Sequence, residues 1–467
     1  MKFINKSKNT IYLADINKHI PYLNDIEQEI KEDEILRSKG FQAMVLAETF
    51  EIKSIEDTRI ENNLYRLKEK MAVLKQKILS PNKEENISLE NQESKELEVL
   101  IKGHFFEAGG YAKVNRNLAL ALQKRGVKVI IESVGNKNHL TDEEMYTMSS
   151  LRGKPNKNTI RIDSMIPSFG NCSSGRNSIL YTTVESYSIP KQFLEVANNY
   201  KEIWVTSDFS KDILIKSGLK RPIYVFPCTV DVDSYTSKGD KYEFRPELKD
   251  FVFVSVFGWS YRKGFDVLLK SYLKAFTDKD NVSLLLVSRY HNTSEKNDII
   301  RTTIDSYCQQ YGGKNVPHIV RCSKVIPENK MPSLYRSCNA FVLFTRGEGF
   351  GMPLCESSLC GLPVISTNCS GQAMFLNHDN SYLLDPDSFA PVQSGLMHVH
   401  YWDEQVFPVL TSYKTIEGAS QLMRYVYENP NKAKEKNKKL QNLVKKEYSI
   451  DTVVDSILER LKQIWSV

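Results

Sequence analysis

From about residue 97 onward, short apolar runs alternate with stretches whose apolar positions recur every three or four residues. This is the pattern of repeated β-α-β units, whose right-handed crossovers build parallel sheets. In the first unit, a strand at 97–101 leads through Phe106-Glu107-Ala108-Gly109-Gly110 into a helix with Val114, Leu118, Ala121 and Leu122 on one face. Gly126 ends that helix before a strand at 127–131. Further strands are expected at 179–183, 202–205 and 223–226. A second series opens with Phe251-Val252-Phe253-Val254-Ser255-Val256-Phe257, an almost continuous apolar run suited to a strand covered on both faces. It turns through 258–264 into a helix burying Phe265, Leu268, Leu269, Tyr272 and Phe276. Later strands fall at 282–287, 319–321, 340–344 and 363–366. A last helix at 451–465 aligns Val454, Ile457, Leu458, Leu461 and Trp465 on a face that must pack against something.

The beginning of the chain is different. Residues 80–97 are polar, charged and nearly free of aromatics, as a linker is. Before them, 10–16 and 44–46 resemble short strands, and Leu64, Leu67, Met71, Leu74 and Ile78 give 63–79 helical spacing. A chain of 467 residues exceeds the roughly 250–300 at which one core stops growing. The expected fold class is therefore α/β, with two facing doubly wound, Rossmann-like parallel sheets. The expected order is an accessory module at 1–79, a linker at 80–97, domains at 98–229 and 250–450, and a hinge at 230–249. The accessory module is a candidate for anchoring, oligomerisation or acceptor capture.

Composition narrows the function classes. Lysine and arginine exceed aspartate and glutamate by only 63 to 57, and the surplus is spread along the chain, so nucleic acid is not an expected partner. No apolar run approaches the roughly 18 residues of a membrane span, and Met1-Lys2-Phe3-Ile4-Asn5-Lys6 leads into polar residues; a cytoplasmic protein is expected. Cys172, Cys228, Cys308, Cys322, Cys338, Cys355, Cys360 and Cys369 contain no Cys-x-x-Cys pair and read as small buried hydrophobes in a reducing compartment. His398 and His400 read as loop residues, so no metal or other cofactor is expected. The lysine-rich run 432–446 reads as a solvated helix face that also permits peripheral contact with the inner face of a membrane.

Three strand-to-helix turns carry chemistry. The strongest is Arg346-Gly347-Glu348-Gly349-Phe350-Gly351-Met352-Pro353-Leu354-Cys355-Glu356. Pro353 suits the start of a helix and Gly361 its end, which places Glu356 in the first turn and Glu348 on the preceding loop. Exposed amides at a helix N-terminus favour a sugar diphosphate, and a carboxylate accepts two hydrogen bonds from a ribose diol. An acidic first turn that only complements the helix dipole is the plainer reading. The second turn, Gly258-Trp259-Ser260-Tyr261-Arg262-Lys263-Gly264, sets two cations at the carboxyl end of a parallel strand, where open α/β sheets bind ligands. Arg262 and Lys263 there suit a leaving diphosphate, or form a solvated basic turn. The third, Gly109-Gly110, lets backbone approach a phosphate or serves a tight turn; the G-x-G-x-x-G dinucleotide fingerprint is absent.

At these residues, and from about residue 99 to the end, the chain resembles the large retaining glycosyltransferase family four, of the GT-B fold. Glu348 to Glu356 fits its E-x7-E motif, Arg262-Lys263-Gly264 its phosphate turn, and Gly109-Gly110 its first-domain glycine loop. Trp204-Val205-Thr206-Ser207 and Pro227-Cys228-Thr229-Val230-Asp231 are similar to further landmarks. The resemblance implies that Glu356 binds the donor ribose, and that Glu348 with Gly349, Phe350 and Gly351 holds the donor sugar. It implies that Lys263 and Arg262 face the diphosphate and that a terminal helix at 451–467 crosses back onto the first domain. The implied partners are a nucleoside diphosphate sugar and a glycan, lipid-linked or protein-linked hydroxyl acceptor.

Two departures stand out. Where many relatives carry a histidine, Tyr181-Thr182-Thr183-Val184-Glu185-Ser186 has none, which leaves Glu185 as the candidate sugar or acceptor contact. Trp259 follows Gly258 where some relatives have arginine. Asp231-Val232-Asp233 imitates a metal-binding D-x-D but falls on the expected hinge. The alternatives are an epimerase or a phosphorylase of the same architecture, the latter needing a pyridoxal lysine, and a non-catalytic sugar-nucleotide-binding scaffold.

Overall fold

The computed structural model describes residues 96–135, 139–167, 177–244, 247–289, 297–392 and 405–466, with five short strands inside the first 54 residues. The chain divides into two compact units, Met1–Glu96 with Gly135–Lys154, and Leu97–Val134 with Pro155–Val467. In the first unit Lys2–Asn5 pairs antiparallel with Gln28–Glu29 and with Phe50–Ser54, and Ile11–Leu13 pairs with Lys18–Ile20. A helix at Asp142–Ser149 starts on a capping box in which Thr141 and Glu144 exchange hydrogen bonds. The strand expected at 44–46, the helix at 63–79, nearly all of the linker, Cys172, His398 and His400 lie outside the described residues.

The larger unit contains two six-stranded parallel sheets. The first is built from β1 (Glu98–Gly103), β2 (Lys128–Ser133), β3 (Ile160–Ser164), β4 (Ser178–Thr182), β5 (Glu202–Val205) and β6 (Ile223–Val225), in the spatial order β6-β5-β4-β3-β1-β2. Its helices include α1 (Gly110–Lys124), α2 (Lys191–Ala197) and α3 (Asp208–Lys216). The expected α1 face, Val114, Leu118, Ala121 and Leu122, is buried, and Gly126 adopts φ +80 just past the helix end. Strand β3 escaped the periodicity reading because Arg161 and Asp163 interrupt its apolar run. Asp163 is nevertheless buried, accepting a 2.7 Å hydrogen bond from the Tyr200 hydroxyl.

The second sheet contains β7 (Phe251–Gly258), β8 (Val282–Arg289), β9 (His318–Cys322), β10 (Ala340–Leu343), β11 (Val364–Thr367) and β12 (Tyr382–Leu384), in the order β9-β8-β7-β10-β11-β12. Its helices are α4 (Phe265–Ala275), α5 (Asn297–Tyr311), α6 (Met331–Arg336), α7 (Met352–Leu359), α8 (Tyr413–Glu428) and α9 (Pro430–Glu447), and a last helix, α10 (Ile450–Trp465), follows them. Within α4 the buried positions include Leu268, Leu269 and Tyr272; Phe265 is only half-buried and stacks on Trp259, and Phe276 is buried just beyond the helix end. The strand order reverses between β7 and β10, and doubly wound sheets bind ligands in the crevice at such a reversal. Among the described residues no helix is long and apolar enough to cross a membrane.

Helix α10 buries Val454, Ile457 and Leu461 and lies on the first sheet's side, where Asp451 and Asp455 pair with Arg125 at the C-cap of α1, and Arg460 pairs with Glu202 of β5. An antiparallel hairpin that periodicity did not reveal, β13 (Ser388–Val392) with β14 (Gln405–Val409), reaches the loop after β4: the Tyr187 amide donates to the Val406 carbonyl at 2.8 Å, and the Tyr187 and Phe389 rings lie 4.4 Å apart.

Gly264 closes the turn after β7 with φ +69, and a Cβ there would sit 1.7 Å from the Phe344 carbonyl oxygen. Replacing Gly264 with alanine combines a left-handed backbone with a backbone clash, so Gly264→Ala should cost about 2 kcal/mol or more of stability. Urea unfolding of the variant, with an unchanged midpoint as the contrary result, checks this.

Candidate active site

The two strongest sequence signals are the turns that leave β7 and β10, the strands flanking the reversal. A 3-10 turn at Tyr261–Lys263 follows β7, and an extended loop from Phe344 to Gly351 follows β10. One buried ion pair joins them. The Arg346 guanidinium, 1% exposed, grips both oxygens of Asp266 at 2.8 Å, donates to the Tyr261 carbonyl at 2.7 Å and lies 3.8 Å from the Tyr261 ring. The backbone follows, since the Arg346 amide donates to the Arg262 carbonyl at 2.7 Å.

This lock brings the expected residues together. Lys263 Nζ lies 2.5 Å from Glu348 Oε1. Arg262 Nη1 donates to the Gly347 carbonyl, lies 3.1 Å from Glu185 Oε1 and is 4.0 Å from Glu348. Burial raises the Glu348 carboxyl, but Lys263 and Arg262 outweigh it and hold the group below the usual carboxylate range. Burial, reinforced by Arg262, lowers the Lys263 ammonium despite the carboxylate beside it. Glu185 also borders a small cavity with Thr183, Ser186, Phe193 and Gln405, the last from β14.

Glu356 is not in the first turn of α7, contrary to the sequence expectation. Gly351, at φ +98, caps the helix, so α7 begins at Met352 and Glu356 stands a full turn in. It therefore does not serve the helix terminus, and its buried carboxylate meets Lys113 of α1 instead, Oε1 to Nζ at 2.7 Å. Phe350 points its ring into a cluster with Phe375 and Tyr448, so only its backbone is available to a ligand.

The glycines divide into two groups. Gly347 and Gly349 press against the segment after β4: a Cβ at Gly347 would lie 1.9 Å from the Glu185 carbonyl oxygen, and one at Gly349 1.6 Å from Thr183 Oγ1. The Gly349 carbonyl accepts from Thr206 Oγ1 at 3.0 Å. These two glycines let the sheets approach each other. Gly109 and Gly110 are open. Gly109 is extended at φ −157 with nothing within 4 Å of a Cβ position, and for Gly110 only Met352 comes within 3.4 Å. Gly109 thus does not serve a tight turn; the pair leaves room opposite the start of α7.

Sequence reasoning missed Lys113, Arg116, Glu328 and Tyr235. Besides Glu356, Lys113 Nζ reaches Glu328 at 2.9 Å and donates to the Tyr235 hydroxyl at 3.0 Å, while Arg116 pairs with Glu328 at 2.9 Å. Lys113 and Arg116 follow Gly110 by three and six residues on α1, so helical spacing from the glycine pair was the available signal. Ser370 was also missed. It is held at φ +54, takes the Glu348 amide on its hydroxyl at 3.0 Å and gives its own amide to the Tyr187 hydroxyl at 3.1 Å.

Removing one member of the Arg346–Asp266 pair leaves the other buried and uncompensated. Asp266→Asn should lose about 3–5 kcal/mol of unfolding free energy. Asp266→Asn with Arg346→Met should lose less than Asp266→Asn alone, as denaturant titration of the three proteins will show; equal losses would contradict the pairing.

Comparison with known proteins bears on the fold. Residues 249–396 match the protein-family model described as glycosyl transferases group 1. A stretch of 110 residues is 24% identical to O-antigen chain mannosyltransferase B of Escherichia coli, covering 24% of this chain and 27% of that protein, so the match spans about a quarter of the relative's length. Among solved structures, HepE of Anabaena in complex with UDP and glucose is similar at a TM-score of 0.55 and 13% identity, over 79% of this chain and 100% of that one. A glycosyltransferase from Rickettsia africae gives 0.56 and 16%, covering 79% and 98%. Sucrose-phosphate synthase from Thermosynechococcus elongatus gives 0.55 and 13%, covering 79% and 99%. At such identities these likenesses are of fold. The larger unit of the chain has the GT-B fold, and residues 249–396 within it are similar to the group 1 glycosyl transferases.

Proposed function

We propose that this chain is a retaining glycosyltransferase of family four, moving a sugar from a nucleoside diphosphate sugar to a hydroxyl acceptor. The observation that carries the reading is the meeting of Lys263 with Glu348, from two separate strand-to-helix turns, at the reversal of the second sheet. The group 1 match spans both turns, and the HepE structure of similar fold holds UDP and glucose.

In this reading Glu356 receives the ribose hydroxyls. Glu348, with the amides of Gly349, Phe350 and Gly351, holds the donor sugar. Lys263 and Arg262 turn from their carboxylate partners to the diphosphate and stabilise the charge that grows as the bond from the anomeric carbon to the leaving oxygen breaks. The open space at Gly109-Gly110 admits the phosphates from the first sheet's side. The acceptor hydroxyl enters beside Glu185 and bonds to the anomeric carbon on the face the diphosphate leaves, and its proton passes to a leaving phosphate oxygen. Configuration is retained without a protein base. The reaction needs no metal: Asp231, the first residue of the D-x-D imitation, accepts the amides of Asp233 and Ser234 and so caps its own turn.

A ligand that binds only the folded chain raises its melting midpoint by mass action. In a thermal-shift screen of UDP, GDP, ADP, CDP and their sugars, one nucleotide family should raise the wild-type midpoint, and Glu356→Ala should abolish that shift. No shift with any of them would favour the non-catalytic scaffold instead. With the donor so named, product NMR should show the donor's anomeric configuration, and turnover should survive EDTA; inversion or loss of turnover would overturn the respective part of the proposal.

A further inference from the structure

Lys113 is a buried lysine, 8% exposed, whose ammonium has three donors and three partners. Those partners come from different parts of the chain. Glu356 at 2.7 Å belongs to α7, Glu328 at 2.9 Å precedes α6, and the Tyr235 hydroxyl at 3.0 Å lies on the segment that joins the two sheets. The Tyr235 ring also lies 4.4 Å beneath the ammonium. Lys113 itself is on α1 of the first sheet. Burial lowers its titration point, but Glu356 and Glu328 outweigh it and hold it above the ordinary lysine range; Glu328 is held low by Lys113 and Arg116 against the opposing effect of burial.

We infer that Lys113 is a positioning residue for Glu356 and the latch that couples donor binding to closure of the first sheet over the second. The inference rests on Glu356 as the nucleotide contact. Glu356 is 6% exposed, and a carboxylate so buried needs a cation. That cation is supplied from the opposite sheet, so the carboxylate is held in this orientation only while the two halves are together. One ammonium leaves the carboxylate with acceptor positions to spare for a diol. A nucleotide that uses them binds the closed arrangement better than any open one, and by linkage closure strengthens nucleotide binding by the same factor. Arg116, paired with Glu328 one helical turn further along α1, gives the latch a second point of attachment, so α1 cannot swivel about Lys113 alone.

The test uses the full chain with the nucleotide to which wild type responds, beginning with UDP. Isothermal titration, steady-state kinetics and small-angle scattering are recorded for wild type, Lys113→Met and Glu328→Gln. Lys113→Met should weaken nucleotide binding by about tenfold or more. Its donor KM should rise more than its kcat falls, and the contraction that nucleotide causes in wild type should disappear. Glu328→Gln keeps the Lys113–Glu356 contact but removes one anchor, so it should weaken binding by a smaller factor; it also serves as the test if Lys113→Met does not fold. A lower melting point with wild-type nucleotide affinity in Lys113→Met, or in Glu328→Gln where that is the only folded variant, would reduce Lys113 to a structural role and overturn the latch alone. Failure of wild type to bind any nucleotide would remove the reading of Glu356 and the latch with it.

Discussion

The buried grip of Arg346 on Asp266 is the constraint on which the cleft depends. Two loops that leave neighbouring parallel strands have no hydrogen-bond ladder between them and would otherwise wander independently. The guanidinium satisfies a carboxylate and a carbonyl at once, and the adjoining amide ties the same two turns a second time. A charge buried to this degree is costly unless every donor is aimed, so the pair specifies one arrangement of the loops rather than adding much to net stability. Lys263 and Glu348, one residue or a few from the lock, inherit that arrangement.

Close approach of the two sheets is a separate requirement, met by removing side chains. Gly347 and Gly349 lie against Glu185 and Thr183 at distances that no Cβ tolerates, and Thr206 fastens the contact by donating to the Gly349 carbonyl. The glycines of the loop between Arg346 and Met352 therefore divide their work. Gly351 bends the backbone into a helix cap, while Gly347 and Gly349 allow packing across the cleft. Spacing alone does not distinguish room left for a ligand from room filled by another loop.

Period and punctuation made the fold legible. Strands covered on both faces are apolar throughout, so β7 and β8 announced themselves, whereas β3 hides a buried aspartate among its apolar residues and β12 is only three residues long. The hairpin of β13 and β14 stayed hidden because its pairing partners are separated by a long insertion. In the site, the residues on the two turns beside β7 and β10 were found, and those that reach the cleft from elsewhere in the chain were not. Beyond its spacing from Gly110, Lys113 looks in sequence like any helix lysine; the arrival of Glu356, Glu328 and Tyr235 from distant positions distinguishes it. Glu356 was placed in the first turn because Pro353 was read as the first helical residue; the left-handed Gly351 starts the helix one residue earlier, at Met352, and so puts Glu356 just past that turn.

The same residues balance the charge of the cleft. Lys113, Arg116, Arg262 and Lys263 face Glu185, Glu328, Glu348 and Glu356, four cations against four carboxylates, and each cation has a carboxylate within 3.1 Å. Ordering and desolvation of the cations are thus settled on folding, before any substrate arrives. On the proposed reading, an incoming diphosphate takes partners already dehydrated and oriented, and the exchange strengthens as negative charge accumulates on the leaving group. The ribose end requires no such exchange, because Glu356 keeps Lys113 and still has acceptor positions for a neutral diol. A ligand with an anion at one end and hydroxyls at the other fits this division of charge. A simple polyanion does not, because it would meet the Glu356 and Glu328 carboxylates at the end where the nucleoside belongs.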